Sequence, residues 1–303
     1  MIWRKRGLIY RPDGRSGWAR THAMVPTPVL LDGVIRIYLG FLDDKKVGRI
    51  GFVDVGADDP SLILKVSEKP ALDIGVPGAF DDNGVLPSCI LKFNGKKYLY
   101  YWAFQLGVKV RYYLFSGLAI SDDEGKTFRR YSQVPILERN DKDLFLRSAP
   151  YVMLDECVWK MWYAGGSEWV EVSGKFVPVY RVKYLESQDG IRWSGEGKVC
   201  IDFRNEDEHG FGRPYVIKEN GLYKMFYSVR TRSKGYRLGY AESDDGINWT
   251  RKDKEAGIDV SEEGWDSEMI CYSSILKVGD ETYMFYNGNN FGETGFGYAI
   301  LDK

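Results

Sequence analysis

A strand-opening motif returns five times along this chain at intervals of about sixty residues, and few folds accept such a period. Thr27-Pro-Val-Leu30 leads through Asp32-Gly33 to Ile35-Arg-Ile-Tyr-Leu39, and Leu86-Pro-Ser-Cys-Ile-Leu91 leads through Asn94-Gly95 to Lys97-Tyr-Leu-Tyr-Tyr101. Ala149-Pro-Tyr-Val152 precedes Trp159-Lys-Met-Trp-Tyr163, and Arg213-Pro-Tyr-Val216 precedes Asn220-Gly221 and Tyr223-Lys-Met-Phe-Tyr227. Tyr272-Ser-Ser-Ile275 precedes Gly279-Asp280 and Thr282-Tyr-Met-Phe-Tyr286. Each pair reads as two strands of period two joined by turn residues.

A second landmark follows within the units. Ser121-Asp-Asp-Glu-Gly-Lys-Thr-Phe128, Ser187-Gln-Asp-Gly-Ile-Arg-Trp193 and Ser243-Asp-Asp-Gly-Ile-Asn-Trp249 share a serine, an Asp/Gly turn and a closing aromatic. Glycine supplies the positive φ of a tight hairpin and aspartate binds the free amides, so Asp122, Asp123, Asp189, Asp244 and Asp245 are assigned no chemistry. The last unit ends after its third strand, whereas Trp3-Arg-Lys-Arg-Gly-Leu-Ile-Tyr10 resembles a fourth, compare Trp249-Thr-Arg-Lys252. The expectation is an all-β, five-bladed β-propeller with four-stranded antiparallel blades. The N-terminal strand completes the last blade and leaves no open edge. Residues 1–303 form one domain, with blades at approximately 18–70, 78–138, 144–203, 208–260 and 266–303 plus 1–10.

Composition agrees. The 9 Trp, 21 Tyr, 15 Phe and 34 Gly suit stacked antiparallel sheets, and flat aromatic faces also suit the C–H face of a pyranose. A net charge of −1 gives no reason to expect a nucleic acid or an anionic membrane as partner. No apolar stretch approaches the roughly 18 residues of a membrane helix, and no signal peptide is seen, so the expected location is cytoplasmic. Cys89, Cys157, Cys200 and Cys271 form no CxxC pair, which argues against zinc and a disulfide framework and for buried free thiols. No cofactor is expected, and no cluster of ligands argues for a metal.

On these hairpins and strand starts the chain resembles the five-bladed propeller glycosidases: family 43 arabinanases and xylosidases, levanases and invertases, and family 130 β-mannoside phosphorylases. The resemblance covers nearly the whole length and implies an active site at the axis, where the innermost strands begin. The family 43 carboxylates are displaced. The second blade usually opens Ala-Pro-Asp and here reads Leu86-Pro-Ser88; the fourth carries Glu before Gly-Pro and here reads Gly212-Arg-Pro214; the first has Asp before Pro and here has Thr27.

Polar residues gather just before the inner strands: His22, Asp81 and Asp82, Arg147, Glu208, His209 and Arg213, then Asp266 and Glu268. The chain has 2 His, and both fall here. Glycoside cleavage generally needs two carboxyl groups. Asp82 is assigned the base and Glu268, beside Trp265 and Tyr272, the acid, with Glu208 as alternate acid. His22, Arg147, His209 and Arg213 would hold hydroxyls, a carboxylate or a phosphate, and Tyr151, Tyr215 and Tyr272 would stack on the sugar. The alternatives are structural: a turn for Asp81 and Asp82, a solvated loop for Glu268, inter-blade pairing for the arginines, ordinary loop histidines, and core packing for the tyrosines. Three functions follow: hydrolysis of a small or terminal glycoside, phosphorolysis or transfer on a sugar phosphate or nucleotide sugar, and sugar binding without turnover. The sugar, the anomeric outcome and the oligomeric state stay open. The insertions Gly166–Tyr180 and Gln105–Phe115 either shape the mouth or make a dimer contact.

Overall fold

A computed structural model describes residues 1–302 and is almost entirely β. Strand β1 (Trp3–Tyr10) is followed by β2 (Thr21–Leu30), β3 (Val34–Leu42), β4 (Gly48–Gly56) and β5 (Ile63–Val66), of which β2 to β5 pair in that order. The same meander recurs in β6 (Val85–Phe93), β7 (Lys96–Leu106), β8 (Tyr112–Ser121) and β9 (Arg129–Arg130). It recurs again in β10 (Leu146–Asp155), β11 (Val158–Val172), β12 (Lys175–Ser187) and β13 (Lys198–Ile201). The fourth is β14 (Glu208–Glu219), β15 (Leu222–Thr231), β16 (Arg237–Ser243) and β17 (Thr250–Arg251). Last come β18 (Cys271–Val278), β19 (Glu281–Asn287) and β20 (Phe296–Leu301), and β1 pairs antiparallel with β20, the partner expected for the N-terminal strand. That pairing buries Trp3 and Ile9, so its register is set by apolar contact as well as by the ladder.

The first strands of the units touch in sequence: β2 meets β6, β6 meets β10, β10 meets β14, β14 meets β18, and β18 meets β2 again. Each carries a bulge at the repeat landmark, between Met24 and Thr27, Pro87 and Cys89, Ser148 and Tyr151, Gly212 and Tyr215, and Cys271 and Ser274. This register makes Pro26, rather than Pro28, the counterpart of Pro150 and Pro214, and it makes Ser88 and Ser273 the other two. The residue just before is left-handed at Val25, Ala149, Arg213 and Tyr272, with φ of 56°, 56°, 48° and 56°. In the second unit that position is Pro87, whose ring fixes φ near −65°, so left-handed backbone is barred there. Left-handed backbone costs an L-residue on the order of 1–2 kcal/mol, and four such positions on one ring mark the place where strain is concentrated.

The Ser/Asp/Gly turns do two jobs. Ser121, Ser187 and Ser243 accept the amides of Gly125, Gly190 and Gly246 at 2.9, 3.0 and 2.9 Å, which closes each hairpin. The carbonyls of the same glycines accept from the preceding unit: Tyr38 Oη at 2.7 Å, Tyr100 Oη at 2.8 Å and Trp162 Nε1 at 2.7 Å. The matching residues in the last two units are Phe226 and Phe285, which have no donor. Neither is followed by a unit with such a turn. All four cysteines are free; Cys89 and Cys271 are buried as expected, Cys200 is half-buried, and Cys157 is exposed in the tight β10–β11 turn.

Candidate functional site

Where the first strands of the units converge, a cavity of about 350 Å³ opens. Its floor comes from all five: Met24, Leu86, Ser148 with Ala149, Gly212, and Tyr272. Trp102 forms a wall, edge-on to Tyr272 with ring centroids 5.4 Å apart, and Tyr236 lies 5.9 Å from Tyr272 on the other side. The hydroxyls of Tyr180 and Tyr236 are hydrogen-bonded to each other, and the Arg230 guanidinium sits 5.7 Å from the Tyr236 ring. Tyr112 and Arg111 complete the mouth, with no Asp or Glu in the lining. Burial pushes the Tyr236 and Tyr272 phenols well above their ordinary range, so both are neutral hydroxyls at physiological pH.

Arg213 closes the axis one residue further along these strands. It is 0% exposed and donates to the carbonyls of Pro26 at 3.1 Å, Ser88 at 3.3 Å and Ser273, and to Thr27 Oγ1 at 3.1 Å. Pro26, Ser88 and Ser273 hold the same place in three different units, so one side chain ties three bulges together. Burial lowers its guanidinium to about 10, and it stays a cation at neutral pH. Its bonds are to the fold. Tyr151 and Tyr215 lie below it, 4.7 Å apart, with Tyr215 Oη donating to Ile275 O at 2.7 Å; their expected stacking on ligand is replaced by packing against each other.

Of the ten residues singled out from sequence, Tyr272 lines the cavity and Arg213 sits beneath it. The others are placed elsewhere. Arg147 is buried and donates to Glu138 O, Tyr163 Oη and Gly195 O at 2.8, 2.9 and 2.9 Å, with its Nε 3.5 Å from Asp143, and it is absent from the cavity lining. Glu208 forms a two-pronged pair with Arg251 at 2.7 and 2.9 Å. Although burial acts the other way, that pair and the Arg204 amide hold the Glu208 carboxyl below its ordinary value, the opposite of what a general acid needs. His209 meets Pro178 O at 3.3 Å and lies with Glu208 along an open flank groove of about 910 Å³. His22 is buried beside Thr21 Oγ1 at 3.0 Å, and burial drops its imidazole to about 4, against Glu293 and aided by Lys46. Asp82 accepts the Gly78 amide at 2.9 Å in its own loop, and Asp81 is held by Tyr101 Oη and Arg130 Nε at 2.9 and 2.6 Å. Asp266 pairs with Lys5 at 2.7 Å, whereas Glu268 is exposed, outside the cavity lining, with its amide donating to Asn289 Oδ1 at 2.8 Å.

The lining residues that sequence reasoning passed over include Trp102, Arg111, Tyr112, Tyr180, Arg230 and Tyr236. Tyr112 and Tyr180 belong to the two insertions, which shape the mouth. Arg230, near the end of β15 and paired with Gly210 of β14, and Tyr236, just before β16, flank the β15–β16 connection. No group of three or more His, Cys, Asp or Glu able to hold a metal occurs among the described residues. No helix among them is long and apolar enough to cross a membrane.

No protein-family model matches the chain. It is 36% identical over 304 residues to the uncharacterized protein Rv1502 of Mycobacterium tuberculosis strain H37Rv, covering 100% of each protein. Solved structures share its fold at low identity. BT0996, in a complex with RGII, superposes with a TM-score of 0.77 at 20% identity, over 98% of this protein and 90% of that one. A Bacteroides ovatus glycosyl hydrolase gives 0.75 at 13%, over 100% and 93%. The family 43 enzyme of Xanthomonas citri complexed with xylose gives 0.63 at 14%, over 93% and 87%. The chain therefore belongs to the family of Rv1502, and it shares the fold of solved glycoside hydrolases.

Proposed function

We propose that the chain is a single five-bladed propeller and a carbohydrate-active, glycosidase-like protein whose ligand enters the axial cavity. The blade count rests on the cyclic contacts of the five first strands and on β1 supplying the outer strand of the last unit. The observation that carries the function is that every unit contributes to one cavity walled by Trp102, Tyr236 and Tyr272. Aromatic faces with a few convergent hydroxyls are what a small sugar needs, apolar on its C–H faces and hydrogen-bonding at its edges. At about 350 Å³ the space is at the small end for a ligand pocket and fits one sugar residue better than a chain. The likeness to glycoside hydrolases supports the class and leaves the linkage to experiment.

In this reading Asp82, which lines a separate pocket with Asn83 and Gln105, and the exposed Glu268 act as base and acid on a glycosidic bond that projects out of the cavity. Glu208, held ionised by Arg251, takes no part. The test is turnover of small aryl glycosides and oligosaccharides, with and without phosphate, in the wild type, Asp82→Asn and Glu268→Gln. General acid–base roles predict losses of roughly 10²–10⁴-fold in each variant with binding retained. Full activity in either removes that residue. The carboxylate-free lining favours a second reading, binding without cleavage. It predicts thermal stabilisation by a sugar that is recovered unchanged.

A further inference from the structure

The cavity holds cationic groups without anionic ones. Arg230 is half-buried at its wall, and the ionisable groups acting on it are the phenols of Tyr236, Tyr180 and Tyr112. Arg111 stands at the mouth over Tyr112, 5.9 Å from the ring, and is exposed. Elsewhere in the molecule, buried or half-buried arginines are matched: Arg36 with Asp54, Arg49 with Asp43, Arg251 with Glu208, each within 2.8 Å. Arg213 donates to carbonyls through both of its amino groups. Arg230 has neither kind of partner in the lining. A partly desolvated guanidinium facing only neutral phenols gains most from an anion, because charge-assisted hydrogen bonds are stronger than neutral ones and a low local dielectric strengthens them further. Its planar fork also matches two oxygens of one carboxylate or phosphate.

From this geometry we infer that the axial cavity selects a sugar bearing one anionic group, a carboxylate or a phosphate, with Arg230 as its anchor. The inference rests on the carbohydrate reading above and narrows it to a charged ligand. Arg111 steers the anion in from solvent, while Trp102 and Tyr272 take the ring face. The Tyr180–Tyr236 hydroxyl pair stands beside Arg230 and can turn a proton toward the same anion. His209 is a titratable group that feels the Arg230 charge. Burial and Arg230 keep it neutral, so it adds no competing charge and no pH switch at pH 7.

The experiment is ligand-observed NMR titration with matched sugars: glucose, glucuronate and glucose 6-phosphate; galactose, galacturonate and galactose 6-phosphate; arabinose and arabinose 5-phosphate. In at least one set the anionic member should bind roughly tenfold or more tighter than its neutral parent at low salt, and the preference should shrink as salt rises. Which anionic member wins separates a uronate site from a phosphate site. Arg230→Gln should abolish the preference, and Arg230→Lys should restore part of it. Equal or tighter binding of every neutral parent, or a preference that survives Arg230→Gln, overturns the inference and leaves the carbohydrate reading standing. Binding by no member of any set overturns both.

Discussion

At the scale of single residues, chemistry that looks available in the sequence is largely committed to the fold. Glu208, Arg147, Asp81 and Asp266 each meet a partner at 2.9 Å or less. The two histidines are held neutral, mainly by burial. For His22 the consequence is a pH-dependent stability. Its folded value of about 4 lies below the ordinary value of about 6.5, so the unfolded chain binds the extra proton first. Stability is therefore full above pH 6.5, falls as pH drops toward 4, and changes no further below that through this group. Integrated over that window the loss is at most roughly 3 kcal/mol. Thermal melts of the wild type and His22→Gln between pH 7.5 and 4 check it: the variant should lose less Tm on acidification, and parallel curves would rule the group out.

At the scale of elements, the repeated turn is a clasp between neighbouring units. Tyr38, Tyr100 and Trp162 each donate to the turn glycine of the next unit, and the donor gives way to Phe226 and Phe285 where no such turn follows. Gly125 and Gly190 must also be glycine for space, since a Cβ would come within 2.1 Å of Tyr38 Oη at Gly125 and 2.6 Å of the Trp159 ring at Gly190. Tyr38→Phe keeps the packing and strands the Gly125 carbonyl, which should cost about 1–2 kcal/mol. Phe226→Tyr, with no carbonyl waiting, should not stabilise. Urea denaturation midpoints measure both; an unchanged midpoint in Tyr38→Phe would mean that the bond contributes nothing to holding the units together.

At the scale of the whole molecule, periodicity was legible and the site only partly so. The spacing of the Pro and Asp-Gly landmarks predicts the meanders, and the unmatched last unit predicts the β1–β20 pairing, because both follow from local turn chemistry and strand alternation. Two landmarks are offset: Pro28 and Pro87 stand out in sequence, but the bulges place Pro26 and Ser88 at the common position. Bulges are set by how a strand meets its neighbours, and a single chain read linearly does not reveal them. The same holds for the cavity. Tyr272 was visible because it opens a strand, whereas Arg230, Tyr236 and Tyr180 reach the axis from second and third strands and their connections. Asp82 and Glu268 carry the right functional groups near the right strands, yet the lining passes them by.

The central claim is that five units of one chain build a single ligand site on their common axis. A crystal structure with the tightest-binding sugar of the matched sets tests it most directly. The account predicts the sugar ring against Trp102 and Tyr272, its anionic group on Arg230, and no protein carboxylate contacting that group. A ligand seated in the flank groove beside Glu208 and His209, with the axial cavity unoccupied, would contradict it.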